Sequence, residues 1–155
     1  MRIIAVDDEK IALEALSGAI KSIVTEDEVV SFNAKVSLTQ KDIRMLQLAK
    51  SAICAGLQTL LQDSKTPSSD VPFLYIAGGF GNYLNKQSAV KIGLLPKELA
   101  EASVTVGNAA LAGASMLLLS SSLKSKAVEL ARNARVLDLS VNSVFADYYV
   151  SGMAF

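Results

Sequence analysis

Apolar positions along this chain alternate between two rhythms. Short runs at 3–6, 29–32, 73–77, 103–107 and 136–140 are rich in branched or aromatic residues. Their length and content predict buried strands. Between them apolar residues return every three or four positions. Ile11, Leu13, Leu16, Ile20 and Ile23 make one stripe and predict a helix over 9–23. Ile43, Leu46, Ala49, Ile53, Leu57 and Leu60 make a second, longer one. It starts just after Thr39, with Asp42 three positions on, the spacing of a capping box. Pro, Ser and Asp cluster at 63–70 as a loop. A short helix follows Gly81 and closes at Gly93 and Pro96. A helix of small, then large, apolar residues follows Gly107 and Asn108. A surface helix over 122–134 and a terminal helix over 144–155 complete the chain. The alternation predicts a single α/β domain over 1–155. Its expected architecture is a mostly parallel sheet of about five strands, near 2–6, 28–32, 73–77, 103–107 and 136–140, flanked by helices.

Composition narrows the chemistry. The 155 residues carry 15 basic and 15 acidic side chains, so formal net charge is zero. No basic stripe marks a nucleic-acid groove, and no nucleic-acid partner is expected. Asp7 and Asp8 interrupt the apolar opening after four residues, so no leader is expected there. The most apolar stretch, 109–119, is too short to cross a bilayer, and the expected setting is cytoplasmic with no membrane partner. There is no histidine, which removes imidazole bases and His-ligated zinc. The one cysteine, Cys54, lies within the long helical pattern and reads as a half-buried small apolar residue. A single thiol cannot hold an iron–sulfur cluster by itself. Carboxylate–magnesium chemistry and backbone contacts to phosphate remain.

The opening "IIAVDDEKIAL" places two acids where a strand meets a helix. Residues 1–33 resemble the start of a response-regulator receiver domain, and that likeness implies that Asp7 and Asp8 hold a magnesium ion weakly. A receiver also needs a phospho-accepting aspartate, which the family pattern puts near 50–57. That window reads "KSAICAGL" and holds no acid. The ordinary role of the pair is electrostatic: acids at a helix N-terminus complement its unpaired N–H groups and dipole.

Four later segments carry a more specific likeness: "LTQKDIRMLQLAKSAICAGLQTLL", "YIAGGFGNYLN", "IGLLP" and "VGNAALAGASMLLL". Residues 34–155 resemble the C-terminal end of the ATPase-like domain in reductive activators of corrinoid proteins. Those are iron–sulfur proteins of the acetate/sugar kinase, heat-shock chaperone and actin superfamily, with a ribonuclease-H-like lobe. The family uses ATP hydrolysis to help reduce the cobalt of an inactivated corrinoid. The stretch here matches the adenosine-side part of the second lobe, downstream of the phosphate-binding hairpins. The resemblance therefore implies weak binding of ATP or ADP with magnesium at most, and no turnover by this stretch alone. The residues that would face the nucleotide are Gly78, Gly79, Gly81, Gly107 and Asn108. Glycine at a strand end lets backbone approach a flat ligand, and Gly81 would open a helix whose N–H groups could face phosphate.

The chain thus reads as a composite of a receiver-like opening and a nucleotide-lobe segment. Two other readings stay open. One is a structural or interaction protein with no small-molecule site. The other is a magnesium-binding signalling module built on Asp7 and Asp8. A homo-oligomer, most simply a dimer, is expected in any case. Hydrophobic residues make up 51% of the chain, and charged residues 19% against a typical value of about 25%. A small domain hides such surplus apolar surface poorly in one copy. The segment 144–155, with its Tyr, Phe and Met, is the expected contact, unless it is an ordinary docked helix.

Overall fold

The computed structural model describes residues 29–33 and 36–155. The expected strand at 2–6, the helix at 9–23 and the acids Asp7 and Asp8 lie outside them. In chain order the described elements are β1 (Val29–Asn33), β2 (Val36–Thr39), α1 (Gln40–Asp63), β3 (Leu74–Ala77), α2 (Gly79–Asn82), α3 (Lys86–Lys91), β4 (Ser103–Gly107), α4 (Ala109–Leu119), α5 (Ser121–Asn133) and α6 (Ser143–Ser151). Single 3-10 turns stand at Ser68–Asp70, Lys97–Leu99 and Leu139–Val141.

The strands form two separate pairs, β1 with β2 antiparallel and β3 with β4 parallel. The described chain is therefore a mostly helical α/β structure with six helices and a small two-stranded parallel sheet. It is not the five-stranded sheet expected from the sequence. The strand expected at 28–32 does form, but two residues separate it from β2. So short a link joins antiparallel neighbours, whereas a parallel return needs a dozen or more residues. The strand expected at 136–140 is replaced by a turn. Asp138 accepts bonds from the Ser140 amide at 2.9 Å and the Ser140 hydroxyl at 2.6 Å. This local bonding by a short acidic side chain competes with a sheet ladder.

Thr39 caps α1 as its spacing predicts. The Asp42 amide donates to the Thr39 hydroxyl at 3.2 Å, and the Asp42 carboxylate accepts from the Thr39 amide at 2.9 Å. Bonds from the Thr39 side chain first, and its backbone second, hold the Asp42 carboxyl below its ordinary pKa of 3.8. A carboxyl depressed on folding contributes above its unfolded pKa and stops contributing as pH falls through the folded one. The first turn of α1 is thus expected to loosen only below pH 3.8. Amide shifts of residues 40–43 followed through an acid titration check this, and Thr39→Ala should abolish the transition.

The buried side of α1 differs from the expected stripe. Ile43, Lys50, Ser51, Ala55 and Thr59 are buried, whereas Ile53 and Leu60 are about half exposed. Ser51, Ala55 and Thr59 form one row at four-residue steps, and α6 packs along α1. Small side chains in that row let the two backbones come close. The Ser51 hydroxyl donates to the Tyr149 carbonyl, and the Tyr148 hydroxyl donates to Gln62 Oε1 at 2.9 Å. The core proper is Ala89, Leu94 and Leu95, with Leu57 of α1, Leu74 and Ile76 of β3, and Leu84 packed against it. This cluster fixes β3 from below and so positions the strand end that carries the glycines.

Candidate functional site

The parallel strands register as Leu74 with Ser103, Tyr75 with Val104 and Ile76 with Thr105. The next pair skips a residue: Ala77 lies opposite Gly107, which leaves Val106 as an extra residue in β4. This bulge brings both strand ends level. The Gly78 amide then donates to the Gly107 carbonyl at 2.7 Å, joining the two glycine turns. Bulges re-aim the chain beside functional sites, and this one sets the edge where open α/β sheets bind ligands. It is invisible in the sequence pattern, where 103–107 reads as an unbroken strand.

The expected site residues divide into two groups. Gly78, Gly79, Gly107 and Asn108 share the edge. Gly78 has φ 94° and Gly107 φ 61°, backbone that side-chain-bearing residues rarely adopt. A Cβ built on Gly78 or Gly79 would meet nothing within 4 Å. The space above these two residues is open, so a flat ligand could approach their backbone. Asn108 caps α4, its side-chain oxygen accepting from the Leu111 amide at 3.0 Å. Its carboxamide is thereby held at the edge, and the capping bond leaves its NH₂ group out of use.

Gly81 belongs to the other group. It is buried, and a Cβ there would lie 2.5 Å from the Ile76 side chain. The residue serves the packing of α2 on β3, not the open edge. Asp7 and Asp8 lie outside the described residues, and among the described residues no group of acids or thiols is placed to hold a metal ion.

Sequence reasoning passed over three neighbours. Phe80, Asn82 and Tyr83 are exposed on the turn that follows Gly79. The Asn82 carboxamide oxygen would stand 4.0 Å from a Cβ on Gly107, so it borders the second glycine turn. The signal was present in "GGFGNY": two aromatics and an amide in a glycine turn are poor core candidates. Two shallow grooves of the described surface lie elsewhere, one along α5 at Lys124, Val128 and Arg132, one near Gln62 and Tyr148.

Cys54 is half-buried, as its place in the helix predicts. Burial raises its thiol pKa, with Lys50 opposing and Glu98 adding, which disfavours the thiolate. Among the described residues no helix is long and apolar enough to cross a membrane.

A family model described as the C-terminal domain of RACo, the ASKHA domain, matches residues 4–155. The match takes in most of the stretch that resembles a receiver opening. The corrinoid activation enzyme RamQ of Eubacterium limosum is 35% identical over 120 residues, covering 77% of this chain and 20% of that protein. The [Co(II) methylated amine-specific corrinoid protein] reductase of Methanosarcina barkeri is 28% identical over 122 residues, covering 77% and 22%. A solved structure, a reductive activator for corrinoid, iron-sulfur protein, superposes with a TM-score of 0.68 at 41% identity, covering 76% of this chain and 19% of that one. The matched part of the chain spans about a fifth of the length of these relatives.

Proposed function

The chain belongs to the family of the C-terminal ASKHA domain of RACo, and from that premise we propose that its glycine edge is an adenine-nucleotide contact surface. The stretch would serve as the adenosine-side part of a corrinoid activator's ATPase domain. One observation carries the reading: two parallel strands end level in glycine turns joined by the Gly78–Gly107 hydrogen bond, with open space above Gly78 and Gly79. Gly78 and Gly79 would let a purine or ribose lie against backbone. Phe80 and Tyr83 offer exposed rings beside it. Asn82 offers a donor and an acceptor at the rim.

Binding without turnover is proposed for this chain alone. The relatives named for corrinoid activation and reduction are about four times as long as this chain, and their reaction is proposed only for a longer polypeptide to which this stretch contributes. Affinity should be weak, because one wall of backbone and two rings bury little of a nucleotide's surface, whereas tight sites bury about 70–90% of a ligand.

The test is titration of the chain with ATP and with ADP, each with magnesium, followed by amide chemical shifts. Movements at Gly78, Gly79 and Gly107 at millimolar nucleotide are expected. Unmoved glycine amides, or shifts confined to the α5 groove, would sink the reading.

A second reading rests on α4. No residue of this apolar helix is buried, which favours a module that associates through it. We propose a second copy of this chain as the partner.

A further inference from the structure

Lys50 lies midway along α1 and is only 2% exposed. Its ammonium donates to the Gly152 carbonyl at 2.8 Å and the Ala154 carbonyl at 2.5 Å. It also stands 4.6 Å from the centre of the Phe155 ring. A Cβ on Gly93, which has φ 76°, would come within 3.2 Å of the same nitrogen. One buried charge thus meets three segments: α1, the Gly93 turn, and residues 152–155.

We propose that residues 152–155 are a strap closed over α1 by Lys50, which opens together with α6 and leaves the β3–β4 edge folded. The last carbonyls of a helix and the turn beyond it have no partners within the helix. The Tyr148 and Val150 carbonyls are taken by the Gly152 amide. The Gly152 and Ala154 carbonyls are taken by Lys50 instead. A cation at a helix C-terminus also complements its dipole, and a ring face attracts it further. The strap is held against a standing cost. Burial pushes the Lys50 pKa below its ordinary 10.5, the sign of a charge kept from water. Among the other polar ties of α6 to α1 are the Ser51 bond to Tyr149 and the Tyr148 bond to Gln62. α6 and the strap rest on the same helix, so that face opens as one unit, and losing the ammonium makes the opening more frequent. The strap's neighbour on the other side, the Gly93 turn, stays in place because Leu94 and Leu95 anchor it in the core under β3.

Hydrogen exchange on the full chain tests this, comparing the wild type with Lys50→Met and with Phe155→Ala. Lys50→Met keeps the stem's bulk and removes the charge-assisted bonds. Exchange across 143–155 is expected to quicken about tenfold or more, with β3, β4 and 89–95 unchanged. Phe155→Ala leaves α1 untouched and should quicken the same segment by less. Unchanged exchange over 143–155 in both variants would overturn the strap. So would an equal rise in every segment, or loss of the whole fold in Lys50→Met, because either makes Lys50 a general core residue.

Discussion

Gly79→Val is expected to keep the fold and lose the nucleotide, while Gly81→Val, two residues on, is expected to lose stability first. The two glycines look alike in sequence but stand in opposite surroundings. A Cβ on Gly79 meets nothing within 4 Å, so a valine side chain would project into the open space where a purine is proposed to lie. The valine should exclude the ligand at little cost to the protein. A Cβ on Gly81 would sit 2.5 Å from Ile76 Cγ2 and 3.5 Å from the Ile76 carbonyl carbon. Ile76 is β-branched and packs on the core, so it has little room to turn. Overpacking of this kind costs about 1–3 kcal/mol. For a domain of this size each kcal/mol lowers the melting temperature by roughly 2–4 °C. Thermal denaturation and nucleotide titration of both variants decide the matter. Unchanged affinity in Gly79→Val would move the site away from the edge. An unchanged melting temperature in Gly81→Val would mean that Ile76 gives way.

The contrast also marks what a linear sequence can carry. Local rules were legible. Thr39 and Asp42 announced the cap of α1, and the apolar runs near 73–77 and 103–107 announced β3 and β4 within a residue. The glycines at the two strand ends were legible as an edge. Pairing was less so. β2, the antiparallel partner of β1, was not among the expected strands, and the extra residue Val106 in β4 leaves no mark on an alternating pattern. The run at 136–140 looked like a strand because Val136, Leu137 and Leu139 are apolar, yet the Asp138–Ser140 bonds turn the chain there. Which side of α1 would be buried was obscured for a different reason. Large apolar residues dominate a periodicity, but a close helix pair selects small ones, so Ser51, Ala55 and Thr59 went inward. Nothing in the sequence marks Lys50 for burial, because its partners are backbone carbonyls about a hundred residues away, and backbone has no sequence signature.

Light scattering of the chain at micromolar concentration is expected to report a dimer, twice 16.4 kDa, and Leu118→Glu with Leu119→Glu is expected to return it to one copy. The reason lies in α4. Its eleven residues are all apolar or small, none is charged, and none is buried. Leu118 and Leu119 are 88% and 89% exposed. A helix that is apolar all round belongs in an interior, and exposed apolar patches of this extent mark interfaces. Phe73, Tyr75, Val104 and Val106 are exposed as well, and the rings of Phe73 and Tyr75 stack at 5.8 Å. The segment 144–155, the contact expected from the sequence, lies against α1 as a docked helix, so the proposed contact moves to α4. A second copy suits this helix: it carries no charge to repel its like, and Gly113 with Ala110 and Ala114 leaves room for close approach. Two-fold pairing is the commonest closed arrangement. Two glutamates at the exposed leucines would bring four like charges together in a dimer, a repulsion added to the loss of apolar area. A wild-type mass of 16.4 kDa across the micromolar range would end the proposal. A dimer that survives both glutamates would place the interface elsewhere.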